Sequence, residues 1–215
     1  MNRQTFTARR IGLALAFPAL LAIVAATAAP DSGIVNQVSA AQAKKEKSKK
    51  PRITFNEKGE LIKPKGYRRW TYVGTPLTPN DMNDGNAPFP EFHSVYINPE
   101  AYRHYQKTGE FPDGTVLVKE LVSVGDKEAS SGNGYFMGDF VGLEVSLKDE
   151  KRYSDEPGNW AYFSFGHSYP LKKKAAAQPS ASCNACHEGE ADDDFVFTQY
   201  YPVLRAAKGQ AKGSK

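Results

Sequence analysis

Apolar and polar positions divide the chain into three stretches. Residues 11–26 form a continuous apolar run rich in Ala and Leu, residues 44–52 (KKEKSKKPR) are dominated by charge, and the body beyond them mixes short apolar runs with turn residues. In that body the spacing favours strands over helices. Residues 69–73 and 93–97 are short β-prone runs. Asn98 followed by Pro99 predicts a helix over 99–107: the Asn side chain accepts an orphan amide, Pro fits the first turn, and Gly109 ends the helix. Asp113-Gly114 then turns the chain into a β-branched run over 115–124. A Gly/Ser-rich connection at 129–134 leads to a long strand over 135–147, and 159–165 reads as an aromatic-rich strand. Residues 172–177 read as a short helix, and 195–207 as a closing strand-to-helix or helical segment. The expected class is therefore α+β: a mainly antiparallel sheet with a few helices, in a single domain.

Strand alternation assigns faces to these runs. Over 135–147 one face carries Phe136, Gly138, Phe140, Gly142, Glu144 and Ser146, a surface of phenylalanines and glycines that a flat group could approach closely. Glu144 on that face is either a paired structural charge or a proton acceptor in a pocket. Lys119 shares a face with Leu117 and Leu121. Such a lysine either carries its ammonium out to water or, if desolvated, loses its proton and becomes a nucleophile.

The ends of the chain read differently. Arg3, Arg9 and Arg10 precede the apolar run, and small residues follow it, with A-x-A sites ending at Ala28 and Ala43. Residues 1–43 therefore read as an export signal removed from the mature chain. The rival, a retained anchor, fits less well because the run is short and rich in Ala. Residues 44–60 read as a basic flexible lead-in, 61–208 as the folded domain, and 209–215 as a disordered tail. The formal charge is a mild +4, and no compact basic motif in the body suggests nucleic acid as a partner. The expected location is periplasmic, with no membrane span in the mature chain.

The sequence contains two cysteines. Cys183-Asn184-Ala185-Cys186-His187 fits C-x-x-C-H, the attachment pattern for haem c. Two thiols at this spacing can reach the two vinyl groups of one porphyrin, while the next imidazole reaches the iron from one side. A zinc site would need about four ligands, and no second C-x-x-C supplies them. His187 is thus the expected metal ligand. Met82, Met137, His93, His104 and His167 are the candidates for the opposite position, and the sequence leaves that position open.

Residues 67–205 closely resemble cytochrome P-460. The segments that carry the likeness are WTYVGTPLTPNDMNDGNAPFPEF (70–92), FPDGTVLVKELVSVG (111–125), SGNGYFMGDFVGLE (131–144), EPGNWAYF (156–163), CNACH and VFTQYYPVLRAA (196–207). The resemblance implies a periplasmic haem c enzyme that oxidises hydroxylamine to nitrous oxide through an iron-nitrosyl intermediate. It also implies a homodimer of this β-rich fold, an electron acceptor such as a small cytochrome, and a haem cross-linked to the VKEL lysine, Lys119. Glu144 matches the family's distal carboxylate. His93 stands where relatives place an arginine, and could donate hydrogen bonds, shuttle protons or ligate iron. Gln178 could border the pocket. The rival expectations are a nitric-oxide-binding protein like cytochrome c-prime beta, which shares the fold, and a six-coordinate electron carrier.

Overall fold

A computed structural model describes residues 53–213. The expected export signal (1–43) lies outside these residues, as does most of the basic lead-in. The centre of the domain is a five-stranded antiparallel sheet in the order β2-β3-β4-β7-β8, formed by β2 (Thr71–Gly74), β3 (Phe92–Ile97), β4 (Val116–Val124), β7 (Met137–Lys148) and β8 (Trp160–Ser164). Two small ribbons flank it. One pairs β1 (Leu61–Ile62) with β9 (Lys174–Ala175), and the other pairs β5 (Glu128–Ala129) with β6 (Gly132–Asn133). Helices α1 (Pro99–Thr108), α2 (Asn184–Glu190) and α3 (Pro202–Gly213) complete the fold. The expected α+β class, a mainly antiparallel sheet with a few helices, is what the chain forms.

Both faces of the sheet are buried, which is why β4 reads VLVKELV rather than as a clean alternation. On one face Val116 and Val118 join Leu143, Val145, Phe163 and Leu61 in one core. On the other, Leu117 joins Val95, Ile97, Trp160 and Tyr162 beneath Tyr105, Leu204 and Ala207 of α1 and α3. The adjacent charges Lys119 and Glu120 therefore point into different cores. Glu120, 2 % exposed, accepts a hydrogen bond from the Tyr67 hydroxyl at 2.6 Å and is paired with the Arg68 guanidinium. Residues 53–60 close a turn onto β1 and set Phe55 edge-on to Phe163 at 6.2 Å.

The helix after Asn98 forms as expected, with Pro99 in its first turn and Gly109 left-handed at φ 75°. Asn98 itself acts differently from expectation. Its side chain makes no cap; Oδ1 accepts the Val116 amide at 2.8 Å and Nδ2 donates to the Gly114 carbonyl at 3.3 Å, tying the helix entry to β4. Residues 172–177 also depart from expectation. The Ala-rich run has helical propensity, but Leu61 pairs with Ala175 and Phe163 bridges Ala177, so tertiary pairing makes it extended.

The third departure concerns the long strand. Between β4 and β7 the register slips twice: Leu121 faces Gly142 but Val122 faces Phe140, and Val124 faces Met137. A bulge moves every following side chain to the other face. Phe140 therefore lies opposite to Glu144, under the Arg68 guanidinium at 4.4 Å, and not on the surface expected to receive a flat group.

Because Glu120 is a buried carboxylate, Tyr67→Phe should destabilise the protein by about 1–3 kcal/mol, the cost of leaving such a group short of a partner. Urea denaturation checks this; a change below about 0.5 kcal/mol would place the charge's support with Arg68 alone.

Candidate functional site

One row of side chains crosses the sheet on the helix-covered face. Val95 pairs with Lys119, Lys119 with Glu144, and Glu144 with Ser164; the next row places His93 opposite Leu121 and Leu121 opposite Gly142. Paired residues share a face, so strand register alone brings Lys119, Glu144 and His93 to one side.

Glu144 is held firmly. Ser164 Oγ donates to its Oε1 at 2.9 Å, and His167 Nε2 lies 2.6 Å from the same oxygen. At that separation the imidazole and the carboxyl are hydrogen-bonded. Glu144 is 17 % exposed and His167 46 %, so the pair runs from the interior to solvent. Gly142 makes the approach possible: a Cβ there would sit 2.9 Å from Leu121 Cδ1 and 3.0 Å from the Gly166 carbonyl oxygen.

The Lys119 ammonium rests 4.1 Å from the centre of the Phe89 ring. Desolvation lowers its pKa, with Glu144, Cys183 and Cys186 acting in the opposite direction. A cation–π contact contributes about 0.5–2 kcal/mol, whereas taking an ammonium out of water costs several. Burial therefore outweighs the ring contact, and the Lys119 pKa is lowered. Phe89 also meets His167 edge-on at 5.9 Å, so its ring spans Lys119 and the Glu144–His167 pair.

His93 reaches this group through Phe89. Its Nε2 bonds the Phe89 carbonyl and lies 3.2 Å from Thr78 Oγ1, which donates to the same carbonyl at 3.0 Å. The His93 pKa is lowered to about 4, by burial first and the Lys119 charge second, with the Phe89 carbonyl opposing both.

The C-x-x-C-H segment begins at the start of α2. Asn184, 1 % exposed, donates to the Trp160 carbonyl at 2.8 Å and docks the helix on β8. Cys183 is half-buried, Cys186 exposed, and both are free thiols; burial raises the Cys183 pKa. His187 lies between Tyr162 and Phe197, with ring centres at 4.3 and 4.6 Å. Its Nδ1 donates to the Phe195 carbonyl at 2.7 Å, which leaves the Nε2 lone pair free for a metal. Burial lowers its pKa to about 4, against the Phe195 acceptor and with the Lys119 charge, so the imidazole is neutral.

That carbonyl comes from a strained turn. Asp194 (φ 44°) and Phe195 (φ 61°) are both left-handed. For non-glycine residues this costs on the order of 1 kcal/mol each.

The sequence profile of the cytochrome P460 family matches residues 64–198, a span that includes every residue of this site. The chain belongs to the cytochrome P460 family. No curated protein matches it significantly. Cytochrome P460 membership makes this a haem-binding protein, and the donor set fits the group: a neutral imidazole with a free Nε2, two free thiols, and aromatic rings around them. No helix among the described residues is long and apolar enough to cross a membrane.

Three other candidates for the position opposite His187 are exposed to solvent. Met82 is 74 % and Met137 53 % exposed, and His104 is exposed on α1. Gln178 donates its backbone amide to the Tyr162 carbonyl at 2.7 Å, along the edge of β8. Sequence reasoning missed the pairing of His167 with Glu144, the placement of Phe89 on Lys119, and the roles of Asn184 and the Phe195 carbonyl. Only His167 left a signal, since it lies just beyond Phe165 and Gly166 at the end of the strand that pairs with Glu144's.

His93 gives a pH prediction. Its folded pKa lies below the unfolded value of 6.5, so the unfolded state binds more protons below that pH. Its stability contribution is intact above about pH 6.5 and is lost as pH falls toward 4, up to about 3 kcal/mol. His93→Gln should flatten this part of the stability–pH curve in urea titrations of the holoprotein; an unchanged slope would assign the loss to other groups.

Proposed function

We propose that this protein is an exported haem c enzyme that oxidises hydroxylamine. In this reading Cys183 and Cys186 carry the haem, His187 ligates its iron, and Lys119 is bonded to the porphyrin. The observation that carries it is the shared row of Lys119 and Glu144 on the face where the C-x-x-C-H helix docks. An open carboxylate next to a desolvated lysine suits chemistry on a small substrate better than passage of electrons alone.

Haem bound there would supply a Lewis acid for the substrate nitrogen and an outlet for its electrons. The chain supplies proton handling. Glu144 accepts a proton from the substrate through Oε2, because Ser164 and His167 already occupy Oε1. His167 holds that carboxylate in place and links it to solvent. Phe89 walls the site against bulk water, and His93 with Thr78 keeps Phe89 in position. Desolvation lowers the Lys119 pKa, the direction that would suit an amine held against a porphyrin edge. The electrons pass to an external redox protein such as a small cytochrome, and the enzyme works in the periplasm as a homodimer.

A second reading has one observation in its favour. The Phe89 ring lies over Lys119, and an apolar cap of this kind suits a nitric-oxide-binding protein resembling cytochrome c-prime beta. Glu144 and its partners favour the enzyme.

Two variants test the assignment. Lys119→Ala should leave the haem attached while removing the cross-link, read from intact mass and the absorption spectrum; an unchanged spectrum refutes the cross-link. Glu144→Gln should keep the wild-type spectrum and lower hydroxylamine-dependent reduction of an acceptor dye by about 10²-fold or more, the usual scale for a lost proton acceptor. Wild-type rates in that variant would remove Glu144 from the chemistry. A wild-type protein that carries the cross-link but reduces no dye would favour the gas-binding reading.

A further inference from the structure

The turn facing His187 is held by more contacts than a loop carbonyl requires. The Val196 amide donates to the Asp193 carbonyl at 2.8 Å, closing a tight turn with Asp194 and Phe195 at its centre. Positive φ at both central positions is the pattern usually met by Asn-Gly. Here it is imposed from outside. Asp194 accepts Lys148 Nζ at 2.6 Å on one carboxylate oxygen and Trp160 Nε1 at 3.3 Å on the other. Asp193 accepts the Tyr105 hydroxyl and Lys208 Nζ, both at 2.7 Å. The Phe195 ring lies over Gly158, where a Cβ would come within 2.5 Å of it. Lys148 and Trp160 are register partners of β7 and β8, so the sheet itself supports the turn.

We propose that the half-buried Asp194–Lys148 pair, with Trp160, is a positioning device for the haem's histidine ligand. It keeps the Phe195 carbonyl on His187 Nδ1 and thereby sets the midpoint potential of the iron. The inference rests on the reading of His187 as that ligand. A histidine whose Nδ1–H meets a well-placed acceptor is a more basic ligand and favours ferric over ferrous iron. Loosening the turn weakens that donation and raises the potential.

Asp194 and Lys148 also act on the iron through their charges, and this alternative has a different signature. Through charge alone, Asp194→Asn raises the potential and Lys148→Met lowers it. Through positioning, both raise it.

The test is spectroelectrochemistry of the holoprotein and both variants, with resonance Raman measurement of the iron–histidine stretch in the ferrous state. Intact mass and a pyridine haemochrome spectrum establish haem attachment in each. Both variants should shift the potential upward and lower the stretching frequency, with the haem still attached. Lys148→Arg, which keeps the pair, should hold the wild-type values. Opposite shifts in potential, an unchanged stretch, or an Arg variant displaced as far as the Met variant would overturn the proposal. Absence of an iron–histidine stretch in the wild-type protein would overturn the reading of a five-coordinate, histidine-bound ferrous haem on which the measurement depends, a separate failure.

Discussion

The antiparallel pairing of β4 with β7 is the constraint on which the site depends. It sets Lys119 directly opposite Glu144. The two bulges further along then decide which of their neighbours share that face. Because both faces of β4 are covered, Lys119 is largely withdrawn from water, while Glu144 keeps a route to it through His167. Lys119 is desolvated against Phe89, and Glu144 is held by Ser164 and His167. One shift of register would send Lys119 into the opposite core and bring Glu120 to the site.

The same sheet organises the other side of the candidate haem site. The Trp160 backbone carbonyl receives Asn184 and so docks the C-x-x-C-H helix, while the Trp160 indole and Lys148 hold the turn that presents the Phe195 carbonyl. Residues far apart in sequence are thus supported by two adjacent strands. The left-handed strain at Asp194 and Phe195 persists because several partners over-determine the turn, as is common where geometry serves a functional group.

Comparing residue types shows where sequence reasoning works. C-x-x-C-H is legible because its chemistry depends on spacing along the chain, and the helix over 99–107 because Pro and Gly act locally. Lys119 and Glu144 were legible as candidates through a family likeness over most of the domain, a likeness the family profile supports. Local signals failed where a distant partner decided the outcome. Asn98 has the right type and position for a cap, yet its side chain is taken by β4. Lys174 and Ala175 belong to a helix-prone run that β1 makes extended.

By itself the sequence determined the attachment motif, the fold class and the identity of the groups available for chemistry, since these follow from residue type and short-range spacing. Tertiary structure decided which groups meet. It moved Phe140 off the site, brought His167 to Glu144 and Phe89 to Lys119, and gave His187 the Phe195 carbonyl. For Phe140 the physical reason is register; the His167 and Phe89 contacts join segments far apart in the chain. A bulge adds one residue to one strand and leaves little local mark, yet it reverses the facing of the side chains beyond it until a second bulge restores it.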